Sequence, residues 1–579
     1  MSSDKIPQNA ATRVVVVGAG IAGICTSIAL RKQLKHDNFT VYESGDEVGG
    51  TWRANSYPGC ASDVYTHWYS LSTELNPYWS ETHVGQPALK AYWKDIAKKH
   101  RLYDNIVFNA KVESAEWDPR SEVYRIQVHF TDGTRRIEYA RILIAGTGLL
   151  NTPNYPSELG GVKDFKGDWF HSANWNHNVD LRNKRVAVVG NGSSAAQFVP
   201  IISADPTTQV TQYWRTAMWY LPKRRGPYPA WQQWVFAHVP FAMRLYRLFI
   251  WARQELLYVS VLNGGLDNKT REIYTKELTK YIANNAPKKY HKELLPGYPL
   301  GCKRLIVDTG YYDCLHRPNM ELSNDRILEV NESGIKTKNE GQHQYDVIIL
   351  STGFHPNDLT FHVRGSDGRT MDQYYKEKGG PTAYYGTMTA GFPNFFILFG
   401  PNTATGHGSA IFTEEVQVNY MMQIIKPILR GRATSFEPTD AASDAFNSRL
   451  QSKLSKSVWS SCSSWYRADG GKGKITGLFP GTFAEFWWLL RTPVWSDFKV
   501  NGGARWKRGR TLGRVANVLL GLGVAGAAVY ATQHPEVVHD YISVAKEQAA
   551  QLWIEFVTRV HSYSMYSIVL RSSILKGGA

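Results

Sequence analysis

Two segments of this chain follow the same local pattern, a run of apolar residues ending in closely spaced glycines that open a helix. Together they limit the fold more than any other feature. The first reads Arg13-Val14-Val15-Val16-Val17-Gly18-Ala19-Gly20-Ile21-Ala22-Gly23, continues as an apolar-periodic helix to about Leu34, and is followed by a strand, Phe39–Tyr42, that ends at Glu43. Gly18, Gly20 and Gly23 let the chain turn sharply and let backbone N–H groups approach a pyrophosphate at the helix N-terminus. Glu43 stands 20 residues beyond the third glycine, where a carboxylate accepts hydrogen bonds from a ribose hydroxyl. This unit is expected to bind an adenine dinucleotide whose ribose is unphosphorylated.

The second unit reads Arg185-Val186-Ala187-Val188-Val189-Gly190-Asn191-Gly192-Ser193-Ser194-Ala195, followed by a strand from Gln209 to Trp214. At the offset of Glu43 it carries a base, Arg215, followed by Thr216. A guanidinium there can clamp a 2′-phosphate through paired hydrogen bonds, which favours NADP(H) over NAD(H). The plainer alternative is a surface arginine at a strand end.

Two further apolar runs stop at small residues, Ile142–Gly148 and Asp346–Gly353. They read as central strands whose ends meet a cofactor or another backbone. Because the second glycine unit lies between them, the first domain is expected to be discontinuous. Residues 231–290 carry helical periodicity and read as an insertion. The chain has 579 residues, 43% hydrophobic and 20% charged, enough for several domains with substantial cores. Its five cysteines (25, 60, 302, 314 and 462) form no C-x-x-C pair and no zinc spacing. That argues against a disulfide-stapled secreted domain, a zinc module and a thioredoxin-type redox pair. With a polar N-terminus lacking a signal-like apolar run, the expectation is a protein kept in a reducing, cytoplasmic compartment. The net charge of +16 raises nucleic acid and anionic membranes as partners, but no nucleic-acid-binding signature is present.

Three more motifs carry a resemblance to a family. Phe165-Lys166-Gly167-Asp168-Trp169-Phe170-His171-Ser172-Ala173-Asn174-Trp175 matches the F-x-G-x-x-x-H-x-x-x-W fingerprint of type I Baeyer–Villiger monooxygenases. Gly49-Gly50-Thr51-Trp52, then Tyr57-Pro58-Gly59 and Asp63, match a second long motif of that family, and Lys303-Arg304 resembles its Lys-Arg pair. The chain thus resembles the class B flavoprotein monooxygenases from about residue 13 to about residue 490. It departs from them at Asn176, where Pro or Asp is usual, and at Ala195, where many members have glycine. Asn176 leaves open the related enzymes that oxidise nitrogen or sulfur.

The resemblance implies an α/β fold with two Rossmann-like domains, one for FAD and one for NADP. It implies an enzyme that uses FAD and NADPH to insert one atom of O2 into a ketone, giving an ester or lactone. Arg304 would stabilise the negative charge that develops during oxygen transfer, with Asp63 as its orienting carboxylate. Thr51, Trp52, Asp63, Val64, Tyr69 and Asn402 would line FAD, and the turn Gly400-Pro401-Asn402 would set a helix N-terminus near the flavin. Gly190, Gly192, Ser193 and Ala195 would cradle the NADP pyrophosphate. Lys303 would join Arg215 and Thr216 at the 2′-phosphate, Trp465 would touch the nicotinamide ribose, and no metal is expected. The expected division is an FAD domain over 1–165 and 346–500, and an NADP domain over 166–345 with its helical insertion at about 225–300. A basic tail over 501–579 completes it. Within the tail, the uncharged stretch 515–531 is either a membrane anchor, with Lys507, Arg508, Arg510 and Arg514 on its cytoplasmic side, or a docked helix. A non-catalytic, membrane-tethered flavoprotein is the rival from another class.

Overall fold

The computed structural model describes residues 6–222, 226–263, 268–356, 359–536, 539–540, 542–552 and 555. The valine run Val14–Val17 is buried along its whole length, as a central parallel strand requires. It pairs with Phe39–Tyr42 on one side and Ile142–Ala145 on the other. Ile106–Val107 and Phe395–Ile397 form the edges, and all five strands are parallel. Arg185–Val189 is the centre of a second five-stranded parallel sheet. It lies between Gln209–Tyr213 and Val347–Leu350, with Met320–Ser323 and Asp168–His171 at the edges.

In both sheets the strand order reverses at the glycine-bearing strand, which opens a crevice beyond its carboxyl end. The two small-residue strand ends are explained there. A side chain on Gly18 would stand 2.7 Å from the Gly146 carbonyl oxygen, and one on Gly190 would stand 2.3 Å from that of Ser351. Each glycine turn touches the backbone leaving the neighbouring strand, so neither side tolerates bulk.

The first sheet is resumed by Phe395–Ile397, so the chain does return to it after the second sheet. Val347–Leu350, expected to begin that return, instead pairs inside the second sheet. The change of sheet therefore comes after Leu350. Outgoing and returning chains run side by side, Thr152–Pro153 pairing antiparallel with Phe354–His355. The Thr352 hydroxyl donates to the Asn154 carbonyl at 2.6 Å.

Antiparallel strands Ala110–Asp118, Val123–Phe130 and Arg135–Ala140 form a separate layer that shares a core with the first sheet. Helices Ala230–His238, Ala242–Leu257 and Lys269–Asn285 occupy the expected insertion. Cys302 and Cys462, 160 residues apart, form a disulfide not expected from the sequence. No spacing rule could pair them, because only the tertiary fold brings their segments together.

Residues from Gly503 onward form a second unit. Its longest element is the helix Ala504–Gln533, which contains the stretch 515–531. Among the described residues no helix is long and apolar enough to cross a membrane, which leaves the anchor, one of the two readings of this stretch, without support. Gly521, Gly523 and Gly526 thin its apolar surface. The side chains of 513–517, among them Arg514, and those of Arg505 and Arg510 lie outside the described residues, as does everything from 556 on.

Candidate active site

The first crevice is built by the glycine turn and Glu43. Glu43 is buried; one carboxylate oxygen accepts the Ala19 N–H at 2.7 Å and the other accepts the Gly45 N–H at 2.8 Å. It thereby fixes the turn while keeping lone pairs at the strand end. Gly50 packs against Gly20, which sets the short helix Thr51–Ala54 beside the turn. Thr51 is exposed, Trp52 and Val64 are buried, and Tyr69 is half-buried. The Trp52 and Tyr69 rings meet edge to face at 5.7 Å. Backbone cradle, ribose acceptor and aromatic wall are those an adenine dinucleotide carrying a flat ring system requires, so the residues present fit FAD.

In the second crevice, Gly192 precedes the helix Ser193–Ile202, and nothing lies within 4 Å of where its side chain would be. Space is thus left for a pyrophosphate at the helix N-terminus. Ala195 is fully buried and serves the helix–strand contact usually made by a third glycine. The Thr216 carbonyl accepts the Asn191 amide at 2.9 Å, holding the strand end beside the turn. Arg215 is exposed, and the Lys303 ammonium lies 4.9 Å from the Tyr298 ring centre. Burial, and then the nearby Arg215 charge, push the Lys303 pKa below its usual value. Among the described residues neither cation is in an ion pair. Two neighbouring cations without a carboxylate suit an added phosphate.

Asp63 and Arg304 come together although 241 residues separate them. Arg304 donates from Nε at 3.1 Å and from Nη2 at 2.7 Å, both to Asp63 Oδ2. The Asp63 charge holds the guanidinium pKa above its already high value. Tyr466 lies beside the pair; burial raises its pKa to about 12, against the lowering effect of Arg304. Its phenol is therefore a neutral donor at any working pH.

Sequence reasoning missed the residue that joins this pair to the second domain. The Gln197 side chain accepts from Tyr57 Oη at 3.0 Å and from the Ala61 N–H at 3.3 Å, and donates to the Ala61 carbonyl at 3.0 Å. Gly59 has φ 77°, and a side chain there would stand 2.8 Å from the Gln197 carbonyl oxygen. The segment carrying Asp63 is thus clipped onto the NADP-side helix. A glutamine at an interior helix position gave no signal of this.

Other expected site residues act differently. Asn402 turns its side chain away from any open site: its amide donates to the carbonyls of Ile475 and Leu478, both at 2.9 Å. The helix expected at that turn begins only at Ala410. Trp465 is half-buried against Tyr466, ring centres 4.5 Å apart, three residues from the disulfide at Cys462. His171 is buried, and its Nδ1 accepts the Ala173 N–H at 3.1 Å. Burial lowers its pKa to about 4, so it is a neutral turn-former at the end of an edge strand. Trp175 packs on Phe170 and Phe198, while Asn176 is exposed and caps its own turn through Asn178.

Residues 11–239 match the flavin-binding monooxygenase-like family. A Baeyer–Villiger monooxygenase of Pseudomonas aeruginosa is 35% identical over 506 residues, covering 85% of this chain and 91% of that protein. An FAD-binding monooxygenase of Aspergillus niger is 33% identical over 541 residues, covering 89% and 88%. Among solved structures, a steroid monooxygenase bound to NADP superposes with a TM-score of 0.72 at 26% identity, over 85% of this chain and 99% of that one. The closed structure of a cyclohexanone monooxygenase superposes with 0.74 at 24% identity, over 84% and 99%.

Proposed function

The chain belongs to the flavin-binding monooxygenases of the Baeyer–Villiger branch, and from that premise we propose how its own residues carry the reaction. It is an FAD- and NADPH-dependent monooxygenase that inserts one oxygen atom of O2 into a ketone to give an ester or lactone. FAD, when bound, supplies the hydride acceptor and the centre at which O2 is activated.

Gly18, Gly20 and Gly23 with Glu43 hold the adenine dinucleotide. Trp52, Val64 and Tyr69 wall the site and keep water from it. Arg215, Thr216 and Lys303 take the 2′-phosphate of NADP, with Gly190, Gly192 and Ser193 at its pyrophosphate. Arg304 is the catalytic cation. Asp63 occupies Nε and one Nη2 donor, which leaves the remaining donors free to face negative charge as it develops on oxygen at the ketone carbon. Tyr466 contributes a neutral donor next to that fork, and Trp465, packed on Tyr466, would take the nicotinamide ribose.

The observation that carries this reading is the pairing of Arg304 with Asp63 directly after Lys303. It sets an oriented cation next to the phosphate cluster. The test is a matched panel of ketones and thioethers with 18O2, following label in the product per NADPH consumed. One labelled oxygen in an ester or lactone supports the assignment. Sulfoxide as the only product across a broad ketone panel would move the enzyme to heteroatom oxidation. Bound FAD without NADPH consumption would make it a non-catalytic flavoprotein.

A further inference from the structure

Helix Ala242–Leu257 turns part of its apolar surface outward and some of its ionic side chains inward. Its buried ionic side chains face the protein body: Arg247 donates to the His67 and Ser70 carbonyls, and Glu255 accepts the Ala484 N–H at 3.0 Å. Ile250 is buried, but four other apolar side chains of the helix face outward. Leu245, Leu248, Phe249 and Leu256 lie on one helical face and are 55–67% exposed. Next to them Trp234 and Phe241 are 58% and 72% exposed. Single exposed apolar residues are ordinary, but a contiguous face of this kind marks an interaction surface.

Charge on this element has one sign. From 226 to 263 the sequence holds a single acid, Glu255, and that one is buried, whereas Arg244 and Arg253 are exposed. The neighbouring helix Phe483–Leu490 extends the surface with exposed Trp487 and Trp488, and Arg491 stacks over Trp488 at 3.4 Å. Tryptophan and arginine around an aliphatic face are the composition of helices that lie in a bilayer interface.

We propose that this face docks on an anionic phospholipid bilayer, lying in the headgroup boundary without crossing it. A second copy of the chain is the poorer occupant, because each copy carries +16 and the partly exposed acid on these two helices, Glu485, is already paired with Lys453. An anionic bilayer supplies both the apolar depth and the phosphates. The inner side of the same helix packs on the segment that carries Asp63: Val64, Trp68, Ile250 and Phe483 share one cluster. Docking therefore sets the active-site wall next to the lipid phase, where apolar ketones concentrate.

The test is flotation of the full-length, FAD-loaded protein with phosphatidylcholine vesicles with and without 30% phosphatidylglycerol, a composition on the order of natural anionic surfaces. The native protein should float with the anionic vesicles. The triple variant Trp234→Ser/Leu245→Gln/Phe249→Gln should bind at least about tenfold more weakly, with unchanged FAD content and unchanged turnover of a water-soluble ketone. Arg244→Gln should weaken binding by about fivefold. Undiminished flotation of the triple variant overturns the proposal, as does equal binding to neutral vesicles. A concentration-dependent dimer that the triple variant abolishes, without vesicle binding, assigns the face to a second copy instead. Should the triple variant lose FAD, hydrogen exchange on the native protein decides. Vesicle-dependent protection over 230–257 supports the proposal, and protection confined to 504–552 overturns it.

Discussion

Removing the guanidinium of Arg304 should separate NADPH oxidation from oxygen insertion. Arg304 is fixed by two hydrogen bonds to one oxygen of Asp63, at 3.1 and 2.7 Å, and the side chains of the pair remain 31% and 29% exposed. It is thus oriented yet still open to a substrate. The glycine turn, Glu43, Trp52, Val64 and Tyr69 accept no hydrogen bond from Arg304, whose guanidinium bonds to Asp63, so Arg304→Ala should keep its flavin and still be reduced by NADPH. What it loses is a placed donor for the anion of oxygen transfer, a loss of ~2.7–4 kcal/mol or about a hundred- to a thousandfold in rate. The variant also leaves the Asp63 carboxylate unpaired near that developing charge, which pushes the loss toward the upper end. Arg304→Lys should recover only part, because an ammonium cannot give Asp63 the planar fork and still present donors. Asp63→Ala should repeat the defect in weaker form by loosening the arginine. The assay is ester formed per NADPH consumed, with hydrogen peroxide trapped in parallel. Ester should nearly vanish and peroxide should account for the NADPH. Near-normal coupling in Arg304→Ala would refute the reasoning and reduce Arg304 to a structural partner of Asp63.

Arg215→Ala should raise the Michaelis constant for NADPH by about ten- to a hundredfold while sparing NADH, since charge-assisted hydrogen bonds contribute ~1.5–3 kcal/mol each. An equal loss with both cofactors would assign Arg215 to the fold. Cys302→Ser should cost ~2–5 kcal/mol of stability by releasing the closed loop of the unfolded chain, read as a lower Tm, and non-reducing peptide maps of the native protein should show Cys302 joined to Cys462. His67 sits among Tyr228, Phe236 and Tyr246 with neither ring nitrogen hydrogen-bonded; burial, and then Arg247, lower its pKa to about 4. The unfolded chain binds a proton there below about pH 6.5 and the folded chain does not, so stability falls as pH drops from about 6.5 to about 4, by up to ~3 kcal/mol. His67→Phe should therefore raise Tm at pH 5 and make the pH dependence shallower, with His171 and His407, both lowered by burial, contributing to the residual slope; an unchanged slope would show that His67 is protonated in the native state.

Both parallel sheets were legible because their signal is local. Apolar strand, glycine turn, helix and a charged residue at a fixed offset are all read along the chain. The same locality explains the misplaced return to the first sheet. Val347–Leu350 has the composition of any buried parallel strand, and only its hydrogen-bonding neighbours, Arg185–Val189 and Asp168–His171, decide which sheet it joins. The hydrogen bonds of the Asn402 amide were not legible, because the carbonyls of Ile475 and Leu478 that take it are more than seventy residues away. The disulfide and Gln197 were invisible for the same reason.

The Asp63–Arg304 pair belongs with those long-range features, since its partners lie 241 positions apart and nothing between them encodes it. It was found through family resemblance, and the structure supplies a physical reason for the arrangement. Lys303 and Arg304 are consecutive just before the short strand Ile306–Val307, and that strand pairs with Tyr220–Leu221, downstream of Arg215 and Thr216. Lys303 stacks over Tyr298 while Arg304 reaches Asp63, so the two consecutive side chains have different partners. Asp63 is in turn held to the NADP-side helix through Gln197. The catalytic cation and the nucleotide-binding cation therefore share one backbone segment. If Lys303 takes the 2′-phosphate as proposed, seating of NADP is expected to bear on the placement of Arg304.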